Sequence, residues 1–163
     1  MTYPVVEQIA QKIVTRLLTI TQGNGYDVTV KDVVRPKRRA DHSPADGITL
    51  LQLDSFAQDQ DEISSLGVKL RRTATFAIDF YVEPADSDPR PYDQLQAIAI
   101  AELEKALAID FYESDSGAYA GVGYNARLES PQLIRADDDS SAGVRVRVSV
   151  DYQHTDLDPY TPI

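Results

Sequence analysis

Val144-Arg145-Val146-Arg147-Val148-Ser149-Val150-Asp151-Tyr152 places an apolar side chain at every second position. Side chains of a strand alternate faces, so the four valines and Tyr152 share one buried face. Arg145, Arg147, Ser149, Asp151 and Gln153 point the other way. The run then breaks into an acidic, proline-bearing tail, Gln153-His154-Thr155-Asp156-Leu157-Asp158-Pro159-Tyr160-Thr161-Pro162-Ile163, too short to fold alone. A charged sheet face followed by a terminal arm is a surface offered to something else, as in a subunit of an assembly.

Upstream, the same alternation recurs. Leu70, Ala74, Phe76, Ile78, Phe80 and Val82 take one face of a long strand, and Arg71, Thr73, Thr75, Asp79, Tyr81 and Glu83 the other. Arg72 alone intrudes on the apolar phase, near the strand's start. Pro84 to Pro91 stops pairing. Tyr26–Val34 also alternates and reads as a strand, and Ile48–Leu53 as a short apolar one. The segments 40–47 and 54–67 read as loops. Tyr124, Ala126 and Leu128 begin a further strand that Pro131 interrupts, which argues for an edge or a bulge. Asp137 to Gly143 reads as the hairpin loop before the closing strand.

Two segments have helical spacing instead. Val5, Val6, Ile9, Ala10, Ile13 and Leu17, with Ile20 beyond them, recur at three- and four-residue steps. Pro4 suits the first turn, and Gly23-Asn24-Gly25 supplies the stop. Tyr92–Ile109 is the second helix, with Asp93 as its cap and Leu95, Ile98, Ala99, Leu103, Ala106 and Leu107 as its buried stripe. The order α-β-β-β-α-β-β predicts an α+β domain, with a mostly antiparallel sheet of about five strands and two helices packed on one face. Residues 1–155 form the single domain and 156–163 an extended C-terminal arm.

At 163 residues the chain is long enough to bury a core without staples. It has no cysteine, which excludes disulfides, thiolate zinc sites and cysteine nucleophiles. No signal peptide is visible at Met1-Thr2-Tyr3-Pro4, and no apolar run approaches the roughly 20 residues that cross a bilayer. A soluble protein made in a cytoplasm is the expectation. The net charge of −10 argues against a nucleic-acid binder held by phosphate contacts. Residues 1–80 are balanced, so the acidic excess belongs to the second half. That asymmetry is either a solubilising surface or a molecule whose opposite ends attract, as in a head-to-tail ring.

Motifs with catalytic or metal-binding spelling fail on context. Gly121-Val122-Gly123-Tyr124-Asn125-Ala126 matches the dinucleotide spacing, yet no helix is expected after it. Asp59-Gln60-Asp61-Glu62 lacks the calcium loop's glycine, and Asp137-Asp138-Asp139 lacks its bidentate glutamate. His42, with Asp41, Ser43 and Asp46 in one loop, cannot form a nucleophile relay. His154 reads as a surface histidine with a raised pKa beside acidic neighbours. No enzyme, cofactor or metal is expected. The basic run Arg35-Pro36-Lys37-Arg38-Arg39 is a solvated loop, or a contact with an acidic partner or a passing DNA backbone. The arm beyond Thr155 frays, or packs on a neighbouring subunit through Leu157, Tyr160 and Ile163.

The N-terminal amphipathic helix, the long alternating strand before a proline-rich turn, the helix Tyr92–Ile109, the closing hairpin and the ending Val150-Asp151-Tyr152 to Asp158-Pro159 together resemble the tail terminator, or tail completion, proteins of tailed bacteriophages. The resemblance spans residues 3 to 160 and rests on element order and pattern. It implies a hexameric ring that caps the tail tube, stops its polymerisation, and docks to the neck or head–tail connector. It also implies a virion location after assembly in the host cytoplasm, and a bore that passes DNA without binding it specifically. The partners it implies are further copies of the chain, the tube protein and the connector, with no membrane. Candidate interface residues are Arg35, Lys37, Arg38, Arg39, Arg145, Arg147, Asp158 and Tyr160. Subunits would pair sheet edges and bury the polar face, so that reversing Arg145 and Arg147 to Glu weakens assembly more than folding. Other neck ring proteins remain an alternative. So does a different class, a small-molecule-binding or hydrolytic domain with a pocket lined by Tyr26, Tyr81 or Tyr124.

Overall fold

The computed structural model describes residues 3–35, 47–53, 58–64, 67–82, 89–112, 122–135 and 142–162. Among these, two helices pack on a mostly antiparallel sheet, an α+β architecture. Six strands build the sheet, and a two-residue seventh, β1 (Val33–Val34), pairs parallel to β2 (Ile48–Leu53) at one edge. About five strands were expected.

The sheet is organised around its two longest strands. β4 (Gly67–Val82) and β7 (Ala142–Thr155) run antiparallel in unbroken register from Lys69↔Thr155 to Val82↔Ala142. Each carries two shorter strands end to end on its outer side. β2 and β3 (Gln58–Ser64) share β4, and β5 (Tyr124–Leu128) and β6 (Gln132–Arg135) share β7. Pro131 falls between β5 and β6. Leu128 pairs with Val148 and Gln132 with Arg145, so the edge carries one residue more than β7 over this step. Both the edge and the bulge expected from Pro131 are present, because proline has no amide to donate to the ladder.

The register puts Phe80 opposite Val144, Ile78 opposite Val146 and Phe76 opposite Val148, all buried. This face meets α1 (Val5–Leu17) and α2 (Tyr92–Tyr112). Ile9, Ile13 and Leu17 of α1 are fully buried, as are Leu95, Ala99, Leu103 and Leu107 of α2. Each such large side chain contributes about 1.5–3 kcal/mol of burial. One carboxylate lies in the α2 stripe: Glu102 is buried, and its Oε2 has no hydrogen-bond partner.

Four local expectations change. Residues 58–64, read as loop, form β3, because backbone ladder bonds to β4 hold a strand whose residues are mostly polar. Tyr26–Lys31, read as strand, has none; Tyr26 and Val30 still bury alternately, tied by the Val30 amide to the Ile20 carbonyl at 2.9 Å. α1 stops a turn before its glycines, since the Thr19 hydroxyl and amide both donate to the Arg16 carbonyl. Gly25 instead takes φ +79° after a short 3₁₀ turn at Gln22–Asn24. At α2 the carbonyl of Pro91 accepts from the Gln94 and Leu95 amides, so Asp93 lies inside the first turn rather than capping it.

Candidate interaction surface

The face away from the helices is polar but not open to water throughout. Thr49, Thr75, Ala77, Asp79 and Asp151 on it are buried. The expectation of a free face therefore holds only for its arginine heads. Arg71, Arg127, Arg145 and Arg147 keep side-chain exposures between 35 and 62 %, while Asp79 and Asp151 beneath them keep 2 and 8 %. An arginine stem can lie along a sheet while its head stays wet, which makes this layering possible.

The pairing follows from the strand register. Asp79 faces Arg145 directly across β4 and β7. Arg145 Nε donates to Asp79 Oδ1 at 2.6 Å, and its Nη2 to Oδ2 at 2.7 Å, a two-pronged contact. That hydrogen bond raises the Arg145 guanidinium pKa further, against a smaller opposing effect of burial. Asp151 Oδ1 accepts from the Thr73 hydroxyl at 2.7 Å and from Arg127 Nη2 at 3.0 Å, with Arg71 Nη2 3.7 Å from Oδ2. Thr75 and Ser149 share a hydroxyl hydrogen bond at 3.0 Å. Arg147 is held more loosely: its Nη1 lies 3.6 Å from the exposed Glu129 carboxylate.

Arg145 and Arg147, grouped together from the sequence, thus differ in role. Arg145 neutralises a buried carboxylate and belongs to the fold. Arg147 presents its charge outward, and Arg127, the most exposed of the four, does so while also holding buried Asp151. Arg71, placed on this face by its alternation phase with Thr73 and Asp79, and Arg127, in a strand whose register no pattern fixed, stand beside them without having been singled out as candidate residues.

Arg35 is also engaged within the chain. Its Nη1 and Nη2 donate to the two Glu7 oxygens at 2.5 and 2.8 Å, joining the β1 end to α1. The Arg35 hydrogen bonds hold the Glu7 carboxyl below its usual range, with burial opposing them. Lys37, Arg38, Arg39 and His42 lie outside the described residues, as does the aspartate run 137–139.

Residues 156–162, read as an extended arm, turn back onto the domain. The Asp156 amide donates to the Val68 carbonyl at 3.0 Å, and the Val68 amide to Asp156 Oδ1 at 2.9 Å. Further along, the Val5 amide donates to the Pro159 carbonyl at 3.1 Å, satisfying one unpaired donor at the start of α1. Gln8 Nε2 donates to the carbonyls of Tyr3 and Tyr160 at 2.7 and 2.8 Å. Asp158 Oδ1 accepts from the Tyr160 amide at 3.0 Å, and Asp158 remains exposed. Leu157 and Tyr160 keep their side chains out, the first 76 % exposed.

His154, expected at the surface, is buried instead. It occupies the core phase opposite Leu70, stacks on Tyr152 with ring centroids 5.9 Å apart, and its Nδ1 lies 2.7 Å from the Thr155 carbonyl. Burial pushes the Tyr152 hydroxyl pKa up, while Arg72 beside it pulls down.

Two of the enzyme-like spellings run into strands. A strand, β5, follows Gly123, so no helix N-terminus stands there for a pyrophosphate. Asp59, Asp61 and Glu62 sit in β3, not in a calcium loop. Tyr26 lies under Lys105, whose Nζ is 4.2 Å from the ring centre, on the helix side. Tyr81 pairs with Gly143 on the opposite face, so these two tyrosines cannot line one pocket. No described helix is long and apolar enough to cross a membrane. No protein-family model and no curated protein matches the chain in sequence.

Proposed function

We propose that this protein is a ring-forming structural subunit of a phage tail, of the terminator type, which caps the tail tube and offers a docking surface to the neck. The observation that carries the reading is the layered arginine face: outward guanidiniums fixed over buried aspartates. Such a face gives a rigid, directional surface suited to a heterologous contact between subunits. The α+β architecture, with its long central strand pair and two-helix layer, supports the same reading through the resemblance in element order.

In this mechanism the protein acts by shape. Copies associate head to tail, close into a hexameric ring, and cover the growing end of the tube so that no further tube subunit can add. The virion location, the tube and connector partners, and a bore through which DNA passes unbound all follow from that role.

The test is the absolute mass of the purified full-length chain by light scattering, with negative-stain images, alone and after adding polymerising tube protein. Rings of about six copies, and tubes halted at capped ends, are the expected result. Tubes that grow to the same length with and without the protein would refute it.

A further inference from the structure

Two patches of the molecule match each other in chemistry. On the side away from the helices stand the guanidiniums of Arg71, Arg127, Arg145 and Arg147. On the helix side, the two ends of the chain meet at the start of α1, where Gln8 bridges the Tyr3 and Tyr160 carbonyls. Tyr3, Leu157 and Tyr160 are three of the five exposed large apolar side chains among the described residues. Exposed Asp156 and Asp158 stand in the same segment. A corner of aromatic, apolar and carboxylate groups is what an arginine surface recognises: carboxylates accept guanidinium hydrogen bonds, and phenol rings accept guanidinium stacking.

The Asp158 carboxyl favours its charged form. The hydroxyl of Thr161, and then the Tyr160 amide, hold the Asp158 carboxyl below its ordinary range. Copies carrying −10 repel as wholes. Association is therefore favoured by an orientation that sets the arginine face against an acidic patch.

We infer that the arginine face of one copy binds the Tyr3/Leu157/Tyr160 corner of a second copy, with Asp156 and Asp158 supplying the counter-charge. This deepens the ring proposal, and rests on it for closure of the resulting chain of copies. Because the two patches are different, each bound copy still has one of them free. The contact propagates and cannot end at a symmetric dimer.

The test uses two variants of the full-length chain in sedimentation velocity. R127Q/R147Q disables the face while leaving Arg145 on Asp79, and Thr73 and Arg71 at Asp151. L157S/D158N disables the corner, while the carboxamide oxygen that replaces the Asp158 carboxylate can still accept from the Tyr160 amide. Wild type should assemble beyond the dimer and dissociate as salt rises from about 0.1 to 1 M. Each variant alone should associate at least about tenfold more weakly, a loss of about 1.4 kcal/mol. An equimolar mixture should form one-to-one dimers and stop, since each partner retains one intact patch. R127K/R147K should recover part of the association, and an unchanged circular dichroism spectrum and cooperative melting of R127Q/R147Q exclude a folding defect as the cause.

Variants that assemble like wild type would overturn this contact while leaving the ring intact. A mixture no larger than its separate components, or a wild type that stays monomeric, would overturn it as well. Failure of wild type to stop tube growth, with the mixing result as expected, would instead sink the ring's role and leave the contact standing.

Discussion

The two faces of the central β4–β7 pair solve the same problem by different physics. Toward the helices, Phe76, Ile78, Val146 and Val148 fill space between sheet and helices, and stability there is a matter of volume. Away from the helices, Asp79 and Asp151 are just as inaccessible, yet they are charged, and each is held by arginine heads that remain in water. One face tolerates conservative exchange of hydrophobes. At the Asp79–Arg145 pair, the other tolerates exchange only when both members change.

The sharpest way to break the contrast is Phe76→Ala. It empties a fully buried site and should cost about 3–5 kcal/mol in chemical denaturation. On the other face, Arg145→Met should cost roughly 2–3 kcal/mol, less than a wholly buried pair because Arg145 is partly exposed. Asp79→Leu with Arg145→Met should recover most of that loss, since no unpaired charge remains. If the double variant were less stable than Arg145→Met alone, the picture of a buried pair would be wrong. Gly143→Ala tests the backbone between the faces. Its new Cβ would lie 2.9 Å from the Ile134 carbonyl oxygen and 2.7 Å from Ile134 Cγ1, costing about 1–2 kcal/mol in melting experiments. Arg147→Ala should change stability by less than about 0.5 kcal/mol, because its partner Glu129 is exposed.

The smallest effect concerns pH. Glu7 has a lowered folded-state pKa, so its contribution is present above the ordinary glutamate value of about 4.3. It is lost as pH falls through the lowered value, when the protonated carboxyl releases Arg35. Arg35→Gln should lower stability slightly near pH 7, where the link is intact, leave it unchanged below the lowered Glu7 value, and so flatten stability against pH across that acidic window. An identical pH profile in the variant would show that the Glu7–Arg35 link contributes nothing.

The long strands and both helices were legible because their side chains carry a period. Val144 to Tyr152 and Ala74 to Val82 alternate cleanly, and the α1 and α2 stripes repeat at helical steps. β3 was not legible, because Gln58-Asp59-Gln60-Asp61-Glu62 has no apolar phase, and its strand form follows from pairing with β4. The stretch from Tyr26 to Lys31 misled in the opposite sense. Its alternation is real, and Tyr26 and Val30 are buried, but the ladder reaches only Val33 and Val34. In the candidate surface, the charges of Arg145 and Arg147 could be read, but not which of them faces a buried aspartate. That depends on a register set by residues far away in the chain. The folding back of residues 156–162 was equally hidden, since its partners, Val5, Gln8 and Val68, are distant in sequence.

The step at Pro131 has a consequence for aggregation. An uninterrupted outer strand along all of β7 would present a row of free amides and carbonyls that any passing extended chain could extend. Dividing it into β5 and β6, with an extra residue and a missing amide at the join, leaves two short templates out of line with each other. At the opposite border β1 is two residues long, and the outer strand β3 is broken by a register shift between Gln60 and Glu62. The sheet is thereby poorly suited to recruiting indiscriminate strands, and its encounters with other molecules are channelled to side chains, where sequence decides who is accepted.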